Sequence, residues 1–316
     1  MSILITGAEG FVGRNLAEMF VEKKYPVLFP KRNELDLLDD LAVGKYFASQ
    51  KIDTIIHCAT TERIGTIYPP NTCEWNLRMF FNLRKRMTPD MRMINLGSGS
   101  EYSRKFWHRK MPEEFFDVNV PEDPHSYAKY VISKYIQDVP DENLVCLRIF
   151  GIFGKYEDYR YKFISNSIVK NIFGMPIVIN QNVNYDYLYI TDFFRIVETM
   201  LKKWPKNRIL NVTPNNSIDL VTVVDLINKI GRHKSEIQIL HEGIGVEYSG
   251  DNRKLLGDIG SFSFTAPDES IAHLYQYFLG IRDSLDEEAV KRDAYLEYAK
   301  NLRTTYFGEK GEKPHH

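Results

Sequence analysis

The sequence predicts an α/β protein in which a doubly wound parallel sheet is followed by a smaller C-terminal α/β domain. Through the first half of the chain, short apolar runs rich in β-branched residues alternate with segments of helical periodicity. These runs are apolar throughout, as in parallel strands that are buried on both faces of a sheet. A glycine-rich turn joins the first run to the first helical segment. Strands separated in this way by helices indicate βαβ units.

The regular first half supplies the predicted sheet and the helices that cover it. Strands are predicted at residues 2–6, 26–30, 54–59, 91–97 and 143–150. Helices are predicted between them at about residues 11–23, 41–50, 71–87 and 124–138. Because a helix separates each pair of successive strands, the strands are expected to run parallel.

The second half is less regular and predicts the smaller domain. Helices are predicted at residues 161–172, after Thr191, at 219–230 and, as one long charged helix, from about 284 to 305. Strands are predicted at residues 175–179, 208–212 and 236–240. No repeat, low-complexity tract or flexible linker separates the halves, so we expect the two domains to pack tightly. The cleft between them is then the expected ligand site.

The composition indicates a protein that binds small molecules. The 316 residues are 43% hydrophobic and 26% charged, with a formal net charge of −1. No overall field would therefore draw the chain to nucleic acid or to an anionic membrane, and no apolar run reaches transmembrane length. The cysteines Cys58, Cys73 and Cys146 fit no metal-ligand pattern. We expect reduced thiols, no metal and a cytoplasmic protein.

A glycine triplet after the first predicted strand indicates a cofactor site. In "LITGAEGFVGRNL", Gly7, Gly10 and Gly13 form a G-x-x-G-x-x-G pattern at the start of the first helix. The first glycine permits the turn, the second lets a pyrophosphate approach the backbone, and the third lets the helix pack on the strand. The alternative is a tight turn without a ligand. We assign this dinucleotide cradle to Thr6, Gly7, Gly10, Phe11, Val12 and Gly13.

The end of the second predicted strand indicates which nicotinamide cofactor binds. An acidic residue there would accept hydrogen bonds from a ribose 2′-hydroxyl, whereas basic residues would pair with a 2′-phosphate. The sequence "FPKRNELDL" has Lys31 and Arg32 at this point. NADP(H) is therefore favoured and NAD(H) remains possible, the alternative being that both side chains are solvated loop cations.

Several further motifs resemble one family along nearly the whole chain. They are "HCA" (57–59), "NLGSGSEY" (95–102), "LRIFGIFGKYED" (147–158), "YDYLYITDF" (185–193) and "YSGDNRKLLGDIGSFSF" (248–264). With the glycine cradle, the chain resembles the extended short-chain dehydrogenase/reductases that act on nucleoside-diphosphate sugars. The resemblance implies a Rossmann-type sheet carrying the cofactor, a nucleotide sugar under the C-terminal domain and a homodimer built from two helices of each subunit.

The same resemblance implies a division of labour along the chain. Residues 1–158 with about 182–212 would form the dinucleotide-binding domain, and about 159–181 with 213–310 the nucleotide-sugar-binding domain. Asp36 and Leu37 match the pair that brackets the adenine, and Cys58 and Ala59 match the turn under the cofactor.

The serines after the fourth strand match the family position that holds the reacting oxygen. Ser98 is the first candidate and Ser100 the second. The dehydratases of the family follow this position with an Asp-Glu pair, for which Gly99 and Ser100 cannot substitute. Dehydration is therefore disfavoured.

The family also requires a tyrosine with a lysine four residues later, so that the cation favours the phenolate. Tyr130 and Lys134 have this spacing. However, Lys129 lies 19 residues before Arg148, close to the usual family distance, whereas Lys134 lies only 14 before it. We therefore assign Lys129 as the active lysine, which also contacts the cofactor.

In this register the family tyrosine is replaced by His125. Three hypotheses stay open. His125 replaces the tyrosine as acid and base; or Tyr127 or Tyr130 supplies the phenol from a shifted position; or proton transfer has been lost. A basic aromatic segment, "RKFWHRK" (104–110), is interpreted as a cover over a diphosphate rather than a nucleic-acid site. His57, Asp186 and Asp192 are interpreted as structural.

Together these observations predict an NADP(H)-dependent oxidoreductase that reduces a 4-keto nucleoside-diphosphate sugar. The enzyme alternative is an epimerase that keeps its cofactor tightly bound. The alternative from another class is a catalytically silent member that binds the cofactor only.

Overall fold

A computed structural model describes residues 1–63 and 67–307 of the chain. Its strands are β1 (Ile3–Thr6), β2 (Val27–Leu28), β3 (Thr54–His57), β4 (Arg92–Ser98), β5 (Leu144–Ile149), β6 (Gly151–Phe153), β7 (Ile177–Asn182), β8 (Asn184–Tyr185), β9 (Tyr187–Tyr189), β10 (Ile209–Val212), β11 (Ile218–Asp219) and β12 (Ile237–Ile244).

The helices separate most of these strands. They are α1 (Phe11–Glu22), α2 (Asp40–Ser49), α3 (Thr72–Arg84), α4 (Pro124–Asp138), α5 (Phe163–Ile172), α6 (Ile190–Lys202), α7 (Leu220–Ile230), α8 (Arg253–Ile259), α9 (Pro267–Gly280), α10 (Glu287–Lys291) and α11 (Ala294–Phe307). None of the helices within the described ranges is both long and apolar enough to cross a membrane.

Six strands form one parallel sheet in the order β10-β5-β4-β3-β1-β2. The strand order reverses between β1 and β3, so the connections leave the sheet on opposite sides there. A crevice opens at the carboxyl ends of the strands at such a switch point, and ligands bind in it. The predicted doubly wound parallel sheet is confirmed.

The sheet is buried on both faces, which explains why its strands are apolar throughout. Ile3 and Ile5 point into one core with α1 and α6. Leu4, between them, points into the opposite core with α3 and α4. The edge strand β2 is shorter than predicted because only Val27 and Leu28 pair with β1.

A separate apolar core lies in the C-terminal part, where α5, α7 and α9 pack with β7. Strand β7 pairs in parallel with β12. Two short pairs, β6 with β9 and β8 with β11, lie outside the large sheet. Helix α8 instead contacts β10 and α6 of the sheet layer.

The predicted long helix at residues 284–305 is wrong in one respect. The chain forms α10 and α11, and between them Asp293 adopts a positive φ of 49°. A left-handed residue ends a helix, so the charged segment turns at this point. Helix α9 was not predicted, although Ile271, Leu274, Tyr275 and Phe278 have helical spacing and are buried.

Candidate active site

The glycine cradle joins β1 to the N-terminus of α1. Gly7 has a φ of 68°, and the amide of Gly10 donates to its carbonyl at 3.1 Å. A Cβ on Gly13 would lie 2.3 Å from the Gly7 carbonyl oxygen, so helix and strand meet there at backbone distance. A Cβ on Gly10 would meet only that oxygen, at 3.4 Å, and otherwise open space. This position leaves room for a ligand.

The first turn of α1 is also suited to an anion. Gly10 provides no side-chain cap, and the turn contains no acidic residue. Its amide hydrogens are therefore not satisfied by a side-chain cap, and they form the positive end of the helix dipole. A pyrophosphate fits this arrangement, with Phe11 and Val12 contributing the first amides of the helix.

The loops after β1 and β3 touch each other at the switch point. Thr6 hydrogen-bonds His57 Nδ1 at 2.8 Å, and the Ala59 amide donates to Thr6 Oγ1 at 3.3 Å. A Cβ on Gly7 would lie 2.7 Å from the Ala59 backbone. Burial raises the pKa of the Cys58 thiol to about 12, so this side chain stays protonated beside the cradle.

The residues after β2 lie at the exposed edge of the same crevice. Lys31 and Arg32 are exposed, and within the described ranges neither side chain forms an ion pair. Their amides donate to Glu34 at 2.8 Å and Glu9 at 3.1 Å. Asp36 accepts from the Leu38 amide at 3.0 Å. The two cations therefore remain available to a ligand in the crevice.

Leu37 is buried near this edge, and its carbonyl accepts from Asn82 of α3 at 2.8 Å. This bond fixes the backbone beside the position that the family resemblance assigns to the adenine. The loop after β2 is thereby attached to α3 at Leu37.

Ser98 ends β4 and caps the short 3₁₀ turn formed by Gly99–Tyr102. Its hydroxyl oxygen accepts from the amide of Ser100 at 3.1 Å and from the Ser100 hydroxyl at 2.9 Å. The Ser98 amide donates to Glu101 at 2.7 Å, and Glu101 pairs with the buried Arg148 at 2.6 Å. A buried ion pair thus fixes the turn that presents both candidate serines.

Lys129 lies on the inner face of α4. Its ammonium donates to the Leu96 carbonyl of β4 at 2.6 Å, and the side chain is buried. Burial lowers the pKa of Lys129, and the nearby groups that act in the opposite direction include Cys58, just after β3. The lysine therefore lies beneath the carboxyl ends of β3 and β4, next to the crevice.

His125 lies in the first turn of the same helix, whose N-terminus is capped by Asp123. Its imidazole is stacked on the ring of Tyr68, with centroids 4.6 Å apart. Burial and the Lys129 cation lower the pKa of His125 to about 3, so the ring is neutral near pH 7. Its Nδ1 is buried and has no hydrogen-bond partner among the described residues. Such an atom is expected to bind a ligand or a water.

Tyr130 and Lys134, which match the Y-x-x-x-K spacing, both bind Asp117. The Tyr130 hydroxyl donates to this carboxylate, and the Lys134 ammonium donates to it at 2.8 Å. Hydrogen bonding to Asp117 and burial raise the pKa of Tyr130 to about 12. Tyr127 is 42% exposed. None of these side chains is in the cavity lining described next, whereas His125 is. The geometry therefore favours His125 over Tyr127 and Tyr130, with Lys129 bound to β4 one turn further along α4.

A cavity of about 300 Å³ opens beside Ser98 and His125. Basic and aromatic side chains dominate its wall. The basic ones are Arg63, Arg104, Lys162 and Arg303, and the tyrosines are Tyr68, Tyr161, Tyr185, Tyr187, Tyr248, Tyr295 and Tyr298. An anionic ligand with flat rings would suit this lining.

Sequence analysis missed most of this wall, because its residues come from loops and from α11. Tyr248 is stacked on Trp107 with centroids 3.9 Å apart, and its hydroxyl lies beside Ser98 and Gly99. Arg104 lies 5.0 Å from the Trp107 ring and 3.7 Å from Asp123. Trp107 and Arg104 belong to the basic aromatic segment at 104–110, and Tyr185, Tyr187 and Tyr248 belong to the quoted family motifs, but no pattern indicated Tyr68, Tyr295 or Tyr298.

The remaining candidates have structural partners. Asp186 is buried, binds the Thr213 hydroxyl and accepts from the Gly250 amide at 2.9 Å. Asp192 accepts from the Thr265 amide at 2.8 Å. In the late motif at 248–264, Asp251 pairs with the exposed Arg253 at 2.6 Å. In the described part of the chain, no three His, Cys, Asp or Glu side chains come together as a metal site would require.

Comparison with known proteins identifies the family of this chain. The model of the NAD dependent epimerase/dehydratase family matches residues 3–213. A GDP-L-colitose synthase from Yersinia pseudotuberculosis is 22% identical, over 90% of this chain and all of that protein.

Two solved structures share the fold over most of both chains. A UDP-glucose 4-epimerase from Thermotoga maritima has a TM-score of 0.75 at 19% identity, over 90% of this chain and 100% of that one. A GDP-mannoheptose C4 reductase from Campylobacter jejuni, with NADP bound, has a TM-score of 0.74 at 16% identity, over 88% of this chain and 98% of that one. The chain belongs to the NAD dependent epimerase/dehydratase family and is an enzyme of the extended short-chain dehydrogenase/reductase type.

Proposed function

We propose that this enzyme is an NADP(H)-dependent reductase of a nucleoside-diphosphate sugar that carries a keto group at C4. The observation that carries the proposal is that Ser98 and His125 line one basic aromatic cavity, while Lys129, one turn after His125 on α4, binds the Leu96 carbonyl two residues before Ser98. The cradle suits a dinucleotide and the cavity suits a phosphorylated, ring-containing substrate. The names of the similar proteins, a GDP-sugar synthase and a C4 reductase, support the substrate class.

The cofactor, when bound, supplies the hydride. The chain's own residues do the remaining work. Ser98 hydrogen-bonds the carbonyl oxygen of the sugar, and Lys129 holds the nicotinamide ribose. His125 offers its unpartnered Nδ1 or its ring N–H to a sugar hydroxyl or carbonyl. A neutral imidazole positions the oxygen but cannot deliver an ionising proton near pH 7.

We further propose NADP rather than NAD, since Lys31 and Arg32 could pair with a 2′-phosphate. Residues 1–158 and about 182–212 would carry the cofactor, and about 159–181 and 213–310 the sugar nucleotide. A homodimer through α3 and α4, whose Phe81 and Tyr127 are exposed, completes the proposal. Light scattering after gel filtration would test the dimer.

The decisive experiment for the function follows oxidation of NADPH by its absorbance with a panel of 4-keto nucleotide sugars. Reduction of one of them supports the proposal. The similar UDP-glucose 4-epimerase makes epimerisation the second candidate. Interconversion of a nucleotide sugar without net oxidation would support the epimerase, and NADPH binding without any turnover would support a silent member.

A further inference from the structure

Helix α11 brings a tyrosine into the cavity that the family pattern does not provide. Tyr298, Ala299, Leu302 and Arg303 of this helix face the same cavity as Ser98 and His125. The helix contacts β7 on one side and the turn at 104–106 on the other. It therefore crosses the cavity rather than lying on the outside of the domain.

Two guanidinium groups surround the Tyr298 side chain. Arg63 lies 4.8 Å from the centre of the Tyr298 ring. The same guanidinium lies 5.5 Å from the ring of Tyr68, which is stacked on His125. Arg104 is the cation that most lowers the pKa of Tyr298, followed by Arg63. Arg63 thus connects the phenol to the His125 end of the cavity.

These cations have little carboxylate compensation. Within the described ranges Arg63 forms no ion pair, and Arg104 forms one long ion pair, with Asp123 at 3.7 Å. Two half-buried guanidinium groups that share one carboxylate stabilise negative charge that develops beside them. A phenolate at Tyr298 would meet both groups.

We propose that Tyr298, on helix α11, is the catalytic proton donor of this enzyme. It would take the role of the family tyrosine, whose position on α4 is occupied by His125. The inference rests on the proposed function. In reduction, the hydride from the reduced nicotinamide forms the new C–H bond at the carbonyl carbon. The O–H bond of Tyr298 breaks, its proton goes to the carbonyl oxygen, and water reprotonates the phenolate that Arg63 and Arg104 stabilise.

The ionisation of the cavity tyrosines agrees with this assignment. Burial raises the pKa of each of Tyr68, Tyr185, Tyr187, Tyr248 and Tyr295. Burial acts in the same direction on Tyr298, but nearby cations outweigh it and its pKa is lowered. The charged groups that face it are Arg104, Arg63, Lys162 and, with the opposite sign, Asp123.

Titration of tyrosinate absorbance in the free enzyme is the first test. Wild type should show one tyrosine that ionises below the ordinary pKa of about 10. Tyr298→Phe should abolish this transition, and the control Tyr306→Phe, on the same helix but outside the cavity lining, should keep it. Arg63→Gln should move it to higher pH. Absence of a low transition, or its survival in Tyr298→Phe, would overturn the proposal.

Steady-state kinetics of sugar reduction is the second test. Tyr298→Phe should lower kcat about 100-fold or more with little change in KM or in the stabilisation by NADPH. Tyr306→Phe, outside the cavity lining, should stay close to wild type. A Tyr298→Phe enzyme with full kcat would overturn the inference while leaving the reductase function standing. If wild type reduces no sugar, the function itself fails, and the titration alone decides whether Tyr298 is an acidic phenol.

Discussion

The imidazole of His125 lies flat against the phenol ring of Tyr68, with 4.6 Å between centroids and 6° between planes. This stack holds the ring in the cavity wall at the first turn of α4. It also shields Nδ1, which has no partner in the described residues. A buried structural histidine is normally hydrogen-bonded, so the free Nδ1 indicates that this ring binds a ligand or a water.

Replacement of His125 should therefore impair turnover more than replacement of the tyrosine with the family spacing. We expect His125→Asn to lower kcat about 10²-fold, the loss found when one hydrogen-bond donor to a reacting oxygen is removed. Tyr130→Phe should remain within a few-fold of wild type, because Tyr130 binds Asp117 outside the cavity. Steady-state kinetics on both variants makes the comparison. A larger loss in Tyr130→Phe than in His125→Asn would indicate that a tyrosine of α4 is the catalytic phenol.

Protonation of the buried histidines should destabilise the fold in acid. Burial lowers the pKa values of His57 and His125 to about 3, against 6.5 when exposed. Unfolding therefore takes up protons between pH 6.5 and 3, and each histidine removes up to about 1.4 kcal/mol of stability per pH unit as the pH falls. Urea unfolding at pH 7, 6 and 5 measures this slope. His125→Asn should make it shallower, and an unchanged slope would contradict the assignment.

Two substitutions in the glycine cradle should have different effects, one on folding and the other on cofactor binding. Gly13→Ala places a Cβ 2.3 Å from the Gly7 carbonyl oxygen, so we expect a loss of about 1–3 kcal/mol in unfolding free energy. Gly10→Ala meets only that oxygen, at 3.4 Å, and should fold normally while losing affinity for NADPH. Urea unfolding and calorimetric titration measure the two effects. Unimpaired NADPH binding by Gly10→Ala would argue against the cradle.

The charges after β2 should set the cofactor preference. Removing Arg32 in Arg32→Ala should weaken NADP binding about 10-fold or more, the value of a hydrogen bond to a charged group. NAD, which lacks the 2′-phosphate, should bind this variant as it binds wild type. Calorimetric titration with both cofactors tests the preference, with Lys85→Ala as a remote surface control. Equal protection of wild type by NAD and NADP would show that these cations do not read the phosphate.

The contribution of Glu157 to the free energy of unfolding should fall as the pH rises. Burial raises the pKa of this carboxyl to about 7, whereas its unperturbed value is 4.5. The folded state thus holds a proton that the unfolded chain releases above pH 4.5, and the stabilisation is lost as the pH passes 7. Glu157→Gln should raise the unfolding free energy at pH 8 by about 1–3 kcal/mol relative to its effect at pH 4. A constant difference at both pH values would contradict the raised pKa.

Local pattern was sufficient for the sheet and the cradle because their physics is local. Apolar strands such as Ile3–Thr6 must be buried on both faces, and a glycine such as Gly13 is required wherever two backbones touch. The spacing to Arg148 also indicated Lys129 and His125, since a helix of known rise must return to the sheet. The structure has His125 in the cavity wall and Lys129 bound to the Leu96 carbonyl of β4, and the catalytic roles of both residues stay predictions.

The tertiary structure alone decided which side chains surround the reacting position. Tyr298 lies in α11. The turn at Asp293 separates α11 from α10, whereas the sequence predicted the two as one helix. The position of Arg63 beside Tyr298 and Tyr68 joins parts of the chain more than 200 residues apart. Periodicity reports which face of an element is apolar, but contacts between distant elements depend on how whole helices pack, and no local pattern encodes that packing.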